Sequence, residues 1–339
     1  MDILTTLQTI NACHGPSGNE REVAEAIRTL AAPYADEITS DAMGNLIVHK
    51  RGSGPRVMFA AHMDSIGGIA TYVDEKGFVR FGPVGGLHAA DMMFTPVRFQ
   101  SGVRGVLCAA EGADLKELAV HDLYVDIGAK DQAEAKTKVQ PGDMLVYDTP
   151  AFAAEDRLVS PYMDNRISCV VLLMALEQLQ KSENDLYFVF TVQEEVGGRG
   201  AKTAAFAIDP VYAIAVDVTS VDDEPGSRHR STSRLGGGAA VKVMDRSVLC
   251  HPMMVKKLNA LAAEQGIAVQ GDIIQAGGTD AGPIHQSRAG VYTGGISVPC
   301  RYIHTPQEMV DRRDVEACAA LAAAFAGAAL ETNPACGAY

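Results

Sequence analysis

The stretch DLYFVFTVQEEVGGRGA, residues 185–201, joins a continuous apolar run to a glycine-rich turn and places Glu194 and Glu195 where the run ends. Such a run, rich in aromatic and β-branched residues, predicts a strand buried on both faces. Neighbouring side chains on a strand point to opposite faces, but at a strand exit they can reach two parts of one site. For an isolated pair, a solvated turn is the ordinary interpretation, because most carboxylates are exposed.

Strand-like and helix-like segments alternate on both sides of this stretch. Further strands are predicted in RVMFAAHMD (56–64), AIAVDVT (213–219), AVQGDII (268–274) and GVYTGGISV (290–298). Helices are predicted in MDILTTLQTINACHGPSG (1–18), EREVAEAIRTLAAPY (20–34), ISCVVLLMALEQLQK (167–181), HPMMVKKLNALAAEQG (251–266) and VEACAALAAAFAGAALE (315–331). This alternation predicts an α/β fold in which helices sandwich a mixed, mostly parallel sheet.

Residues 68–155 interrupt the pattern with short strands and frequent glycines. Examples are GIATYVDEKGFVRFGPVGG (68–86), TPVRFQSGVRGVLCA (95–109) and PGDMLVYDTPAF (141–152). Short strands separated by turns, with few helices, predict a small β-barrel. Because α/β segments stand on both sides, the barrel is expected to be inserted into a split domain formed by residues 1–67 and 156–339.

Length and composition restrict the class of protein. The 339 residues exceed the length at which a single core usually stops growing, so two domains are expected. The net charge of −13 disfavours nucleic acid and anionic lipid as partners, since both reward a basic face. No apolar run is long enough to cross a bilayer, and Asp2 stands where a signal peptide would carry positive charge. The seven cysteines are scattered without a Cys-x-x-Cys pair, which predicts a protein of the reducing cytoplasm.

Titratable side chains recur where the predicted core strands end, which is where ligand sites form in open α/β sheets. These candidates are His62, Asp64, Asp164, Glu194, Glu195, Asp217 and His304. Each has an ordinary alternative, such as a helix N-cap for Asp164 or an Asx-turn for Asp217. Together, two histidines and several carboxylates on separate strands form a ligand set suited to two divalent, zinc-like ions. An unpaired carboxylate inside AIAVDVT would otherwise be costly.

Seven short motifs show the resemblance of the chain to a known family. They are GPSGNE, AAHMDSIG, SPYMDNR, VQEEVGGRGA, AVDVT, QAGGTDAG and SVPCRYIHTP. In this order, spread over nearly the whole chain, they resemble the dinuclear metallo-aminopeptidases that include glutamyl aminopeptidase and the tetrahedral aminopeptidases of archaea. That family belongs to the co-catalytic zinc exopeptidases.

The resemblance implies a ligand set for two divalent metal ions per subunit. Asp164 would bridge the ions, His62 and Asp217 would complete the ligands of one, and Glu195 and His304 would complete those of the other. Zinc is expected, with cobalt or manganese as alternatives, because imidazole and carboxylate ligands accommodate all three.

The resemblance also gives the adjacent glutamates different functions. Glu195 would bind metal, whereas Glu194 would be the general base that takes a proton from the attacking water and returns it to the leaving amine. Asp64 would accept the other ring proton of His62 and fix its tautomer. The positive charge of the ions makes two adjacent anions tolerable.

Substrate preference is less clearly predicted. The resemblance implies short peptides with a free N-terminus, whose first side chain would occupy a pocket formed by Gly277, Gly278, Thr279 and Asp280. The run SRHRSTSR, with Arg228, Arg230 and Arg234, could bind an acidic side chain, although a solvated loop is the commoner role of such a segment. An acidic first residue is the preference that this run would favour. The barrel would take part in self-association, as a homododecamer or a dimer.

Three other functions remain open from the residues alone. A deacylase or carboxypeptidase-like hydrolase would use the same metals but would not depend on a free amine. A glycosidase with Glu194 and Glu195 as acid and base would need no histidines and would survive chelation. A catalytically inert assembly protein would not need a complete ligand set.

Overall fold

The computed structural model describes residues 1–226, 231–332 and 334, in which two α/β segments flank a barrel segment. The first segment contains α1 (Ile3–Asn11), α2 (Arg21–Ala31), β1 (Glu37–Ser40), β2 (Leu46–Lys50) and β3 (Arg56–His62). The barrel segment contains β4 (Gly67–Val73), β5 (Val79–Val84), β6 (Pro96–Phe99), β7 (Arg104–Cys108), β8 (Tyr124–Asp126), α3 (Gln132–Lys138) and β9 (Met144–Tyr147).

The second α/β segment completes the chain. It contains β10 (Phe152–Ala154), β11 (Arg157–Ser160), α4 (Met163–Gln178), β12 (Asp185–Thr191), α5 (Arg199–Ile208), β13 (Tyr212–Ser220), β14 (Ala239–Met244), α6 (Pro252–Gln265), β15 (Val269–Ile273), α7 (Ala281–His285), β16 (Tyr292–Arg301), β17 (Glu308–Asp311) and α8 (Arg312–Gly327). None of the helices in the described residues is long and apolar enough to span a membrane.

Within the described residues, eleven strands form one mixed sheet with the main order β1-β2-β12-β3-β13-β16-β17-β11-β10, and β14 pairs with both β15 and β16. The four central strands β12, β3, β13 and β16 run parallel. The pairs β2–β12, β14–β16 and β16–β17 are antiparallel, whereas β14–β15 is parallel. Parallel neighbours require long crossovers, which helices α4, α5 and α7 help to supply. The predicted α/β fold with a mixed sheet is confirmed.

The alternation of side chains along β3 explains why both faces of the sheet are covered. Val57, Phe59 and Ala61 belong to the large core on the α4 and α8 side, whereas Met58 and Ala60 belong to the core on the α5 side. Phe59 stacks on Phe188 of β12 with ring centres 4.8 Å apart, and the edge of Phe325 of α8 meets it at 6.2 Å. Because both faces are buried, polar side chains of the central strands can reach a cavity only near the strand ends.

The six strands β4 to β9 close into an antiparallel barrel in the order β4-β5-β8-β7-β6-β9. Its interior is a separate apolar core that includes Val79, Val97, Phe99, Leu107 and Leu145. The predicted insertion of a β-barrel is therefore confirmed, while the domain limits at residues 67 and 155 stay predictions.

Hydrogen bonds from Arg166 connect the start of α4 to the N-terminal segment. The side chain of Arg166 is fully buried, and the guanidinium donates to the carbonyl oxygens of Ile10, Cys13 and Gly15 at 3.3, 3.2 and 3.4 Å. It also lies 4.9 Å from the ring centre of Tyr162. Since Arg166 stands two residues after Asp164, this contact fixes the part of α4 that carries a predicted ligand.

We expect Arg166→Met to lower the free energy of unfolding by about 2–5 kcal/mol, because buried carbonyl groups lose their donor. Urea denaturation of chelator-treated protein measures the change. Arg51→Met is the matched control, because Arg51 pairs with Glu37 at the exposed surface, where such a pair contributes about 1 kcal/mol or less. Equal denaturation midpoints for the two variants would contradict the anchoring function of Arg166.

Candidate metal centre

The predicted site residues converge at the carboxyl ends of the parallel strands. His62 ends β3, Glu194 and Glu195 follow β12, and Asp217 lies in the last part of β13. Asp164 stands at the start of α4, and His304 lies between β16 and β17. Because parallel strands end at one edge of the sheet, residues far apart in sequence meet there.

The carboxylate of Asp164 lies between the two histidines. Its Oδ1 is 3.0 Å from Nε2 of His62, and its Oδ2 is 3.3 Å from Nε2 of His304. Asp217 Oδ1 is 3.7 Å from the same nitrogen of His62, and Glu195 Oε2 is 3.0 Å from that of His304. The five predicted ligands thus form two groups of donor atoms that share Asp164.

The two adjacent glutamates occupy different positions in this arrangement. Glu195 contacts His304, whereas the Oε2 atom of Glu194 lies 3.9 Å from His62 Nε2. Both side chains line a cavity of about 340 Å³ together with the other predicted ligands. No hydrogen bond to the carboxylate of Glu194 is found among the residues that the structure describes, so this group remains available to a substrate or a water.

The carboxylate of Asp64 binds the backbone of the two adjacent glutamates. It is fully buried and accepts hydrogen bonds from the backbone amides of Glu194 and Glu195 at 3.0 and 3.2 Å, and from Ser17 Oγ at 2.6 Å. The Nδ1 atom of His62 lies 3.2 Å from the backbone carbonyl oxygen of Asp64 and 3.4 Å from its Oδ1. Asp64 therefore faces the imidazole with both its carbonyl and its carboxylate oxygens, and its carboxylate fixes the backbone from which Glu194 and Glu195 diverge.

Four non-glycine residues near the site have left-handed backbone conformations. Their φ angles are 62° for Tyr162, 56° for Gln193, 61° for Tyr302 and 66° for His304. Such conformations cost about 1–3 kcal/mol each and persist where the surroundings impose them. Here they occur in, or within two residues of, the predicted ligands, so the local backbone is held in the shape that the site requires.

The two imidazoles are the only basic side chains among the described residues that line this cavity. Burial opposes charge on His304, but hydrogen bonds to Asp164 and Glu195 outweigh it and raise its pKa to about 12. Burial also raises the pKa of Asp217 and of Glu194 well above the ordinary values of their carboxyl groups. Ionising these buried carboxyl groups is therefore costly, and divalent cations would offset that cost.

The donor set fits divalent ions of the zinc type. Donor atoms of His62, Asp164 and Glu195 lie within 4.8 Å of one another. The buried Oε1 atom of Glu195 has no hydrogen-bond partner among the described residues, which is the condition expected of an oxygen reserved for a ligand. Two imidazoles with carboxylate oxygens are typical of zinc and of related transition metals.

The glycine-rich segment supplies one wall of the cavity. Gly277, Gly278 and Thr279 line it, whereas Asp280 lies behind this wall with only 2% of its surface exposed and accepts a hydrogen bond from Thr191. The predicted substrate contact of Asp280 therefore gains no support from its position. Burial raises the pKa of Asp280 to about 6.

The arginine-rich run falls mostly outside the described residues. Arg228 and Arg230 lie in the part of the chain that is not described, and Arg234 is exposed. Arg234 does not line the cavity of the predicted ligands.

Two contributors to the site were missed by the sequence analysis. Glu308, fully buried in β17, accepts hydrogen bonds from the backbone amides of Asp164 and His304 at 2.8 and 2.7 Å. Gly86, in the loop after β5 of the barrel, lies so close to His304 that a Cβ atom there would be 3.0 Å from its Nδ1. The double glycine at the end of GPVGG was the available signal for this close approach, whereas a lone glutamate at a strand start gave none.

Fold and site together define a metal-dependent peptide hydrolase, and comparison with known proteins identifies its family. Residues 44–321 match the M42 glutamyl aminopeptidase family, so the chain belongs to that family. It is a metal-dependent aminopeptidase of the co-catalytic zinc exopeptidase type. The predictions of family and of enzyme class are confirmed, and the glycosidase and inert alternatives are set aside.

Similar proteins cover nearly the full length of the chain. A protein of Acetivibrio thermocellus whose name assigns it to the aminopeptidases is 45% identical over 315 residues, which are 93% of this chain and 95% of the relative. The structure of an aminopeptidase from the archaeon Desulfurococcus kamchatkensis matches with a TM-score of 0.92 and 35% identity over 96% of this chain and 94% of that chain. The TET1 peptidase of Pyrococcus horikoshii, which can assemble into a tetrahedron or a large octahedral shell, matches with a TM-score of 0.86 and 30% identity over 96% and 99% of the two chains.

We expect Glu308→Gln to weaken metal binding about tenfold or more, because the amide group would turn a donor toward one of the two backbone amides. Competition with a zinc-binding dye measures the affinity, and circular dichroism of the metal-free variant checks that the fold is kept. Glu316→Gln, which makes the same change on the exposed side of α8, is the control. Unchanged metal affinity in a folded Glu308→Gln variant would exclude this positioning function.

Proposed function

We propose that this aminopeptidase removes the first residue of short peptides at a centre for two divalent ions bridged by Asp164. The observation that carries the proposal is the position of this carboxylate, whose two oxygens face different imidazoles at 3.0 and 3.3 Å. His62 and Asp217 would complete the ligands of one ion, and Glu195 and His304 would complete those of the other. Zinc suits this set, and cobalt or manganese would also fit it.

Glu194 is the general base in this proposal. When bound, a pair of divalent ions lowers the pKa of water and stabilises negative charge on the attacked carbonyl group. Glu194 takes the proton of the attacking water and delivers it to the nitrogen of the leaving amine. Its carboxylate is suited to this transfer because it faces the cavity and, among the described residues, accepts no hydrogen bond.

Asp64 is a positioning residue in the same scheme. It accepts hydrogen bonds from the backbone amides of Glu194 and Glu195, so it fixes the position of the base relative to the neighbouring metal ligand. It also keeps Nε2 of His62 directed at Asp164, because the other ring nitrogen faces the backbone carbonyl and the carboxylate of Asp64 at 3.2 and 3.4 Å.

The first residue of the peptide occupies the cavity of about 340 Å³ next to Gly277, Gly278 and Thr279. A positive φ of 70° at Gly277 shows that this wall depends on glycine. Among the described residues neither lysine nor arginine lines the cavity, so the described lining does not favour an acidic first side chain. A deacylase or carboxypeptidase-like activity would instead be recognised by hydrolysis that does not depend on a free amine.

We also propose self-association, as a homododecamer or a dimer, in the cytoplasm. The barrel segment exposes large apolar side chains, with 52% of Tyr72, 73% of Phe94 and 57% of Leu115 accessible, and such surface is typical of subunit contacts. The Pyrococcus horikoshii relative can assemble into a tetrahedron or a large octahedral shell. A comparable assembly of this chain with its active sites facing inward would admit short peptides and exclude folded proteins. Six free cysteines among the described residues are consistent with a reducing compartment.

The adjacent glutamates provide the sharpest test of the assigned functions. Glu194→Gln should retain both metal ions and substrate binding but lose turnover by on the order of 10²–10⁴, because an amide cannot accept the proton. Glu195→Gln should bind one ion more weakly and recover part of its activity in excess metal. Metal analysis together with kcat on an aminoacyl p-nitroanilide measures both properties.

Each variant is the matched control of the other, since the two changes are chemically identical and one residue apart. If Glu194→Gln lost metal while Glu195→Gln lost only turnover, the two functions would have to be exchanged. If neither substitution affected metal content or rate, the proposed site would be wrong.

A further inference from the structure

A second cleft, of about 910 Å³, opens beside the cavity of the predicted ligands. The two spaces share Glu194, Gly278 and Thr279 as lining residues. The cleft extends along α5 and α7, and none of the five predicted metal ligands is among its described lining residues. Its volume is at the upper end of the range of about 300–1,000 Å³ that is typical of ligand sites.

The position of Glu194 indicates which part of a peptide this cleft receives. A base that returns its proton to the leaving amine must lie next to the nitrogen of the scissile bond. The residues that follow this nitrogen therefore leave the metal centre on the side of Glu194. Glu194 lines both spaces, but the cleft has none of the predicted metal ligands in its described lining. The cleft therefore continues the path of the peptide beyond the scissile bond.

The charges in the cleft differ from those of the chain as a whole. The chain carries a net charge of −13, yet Glu194 is the one carboxylate in the described lining, where Lys202 and Arg288 also lie. Arg288 is partly engaged, because its Nε donates to the carbonyl oxygen of Phe206 at 2.7 Å and lies 3.5 Å from Asp209. Lys202 is exposed on α5 and forms no ion pair within the described part of the chain.

We propose that this cleft binds the part of a short peptide that follows the scissile bond, and that Lys202 recognises the C-terminal carboxylate of that peptide. The inference rests on the proposed function, because the position of Glu194 as base sets the direction of the chain. The ligand class is a peptide of a few residues with a free carboxylate. Arg288, held against the ring of Phe206 at 4.1 Å, adds positive charge to the same wall.

The cleft limits the length of a peptide whose carboxylate can reach Lys202. An extended residue spans about 3.3–3.6 Å, so each added residue moves the carboxylate farther from the scissile bond by that distance. Only peptides that end within the cleft bring their carboxylate to Lys202. The advantage of a free carboxylate should therefore be largest for short peptides and should disappear for long ones.

The test compares two tripeptides that differ only at the C-terminus, one a free acid and one an amide, with the first residue that wild-type protein prefers. The measured quantity is the ratio of kcat/KM for the acid to kcat/KM for the amide in metal-loaded full-length enzyme. Because both peptides are measured on the same variant, a general loss of turnover cancels in the ratio. We expect a ratio of about 5 for the wild type, since an exposed charge pair changes binding by up to about that factor.

Lys202→Met should bring the ratio to about 1, and Lys202→Glu should bring it below 1. Lys256→Met is the control, because Lys256 is an exposed lysine of α6 outside the cleft, and its ratio should stay at about 5. High salt should reduce the wild-type ratio, because it screens exposed charges.

A wild-type ratio near 1, or a ratio that Lys202→Met and Lys202→Glu leave unchanged, would overturn this inference while leaving the proposed function intact. An equal fall of the ratio in Lys256→Met would also overturn it, because the effect would then be one of net charge. If wild-type enzyme hydrolysed neither peptide, the proposed function would fail, and this inference would fail with it.

Discussion

The structure depends most on one constraint: several carboxylates are buried together where the central strands end. Asp164, Glu194, Glu195 and Asp217 line one small cavity, and only His62 and His304 supply positive charge there within the described lining. Burying unpaired carboxylates is costly, and burial raises the pKa of Asp217 and of Glu194. Divalent cations remove this cost, so the fold and the binding of metal are physically coupled at this edge of the sheet.

A second set of buried carboxylates holds the first in place. Asp64 accepts hydrogen bonds from the backbone amides of Glu194 and Glu195. Glu308 accepts them from the backbone amides of Asp164 and His304. Neither Asp64 nor Glu308 lines the cavity. The oxygens of Glu308 accept backbone amides, and those of Asp64 accept backbone amides and the Ser17 hydroxyl. The site thus separates carboxylates that position the chain from carboxylates that remain available for ions, water and substrate.

Much of the fold and of the candidate site could be predicted from the sequence, because the patterns that indicate them are local. Apolar runs such as residues 185–192 predict buried strands, and polar residues at their ends predict a site at one edge of a parallel sheet. The ordered motifs identified the family, and they predict different functions for Glu194 and Glu195. The contacts of Glu308 could not be predicted, because they join residues from distant parts of the chain. For Gly86 the double glycine indicated a close approach, but not that its partner is His304. For Asp280 the motif was misleading. It placed the residue in the substrate pocket, whereas the side chain lies behind the wall formed by Gly277, Gly278 and Thr279.

The central claim is that Asp164 bridges two ions, and anomalous diffraction from crystals of protein purified without chelators tests it most directly. Data collected at the zinc, cobalt and manganese absorption edges would also identify the metal. The account predicts two anomalous peaks about 3.5–4 Å apart, as in other two-metal sites, with one oxygen of Asp164 bound to each. It predicts His62 and Asp217 at one peak and Glu195 and His304 at the other. A single peak, or two peaks of which only one contacts Asp164, would contradict it.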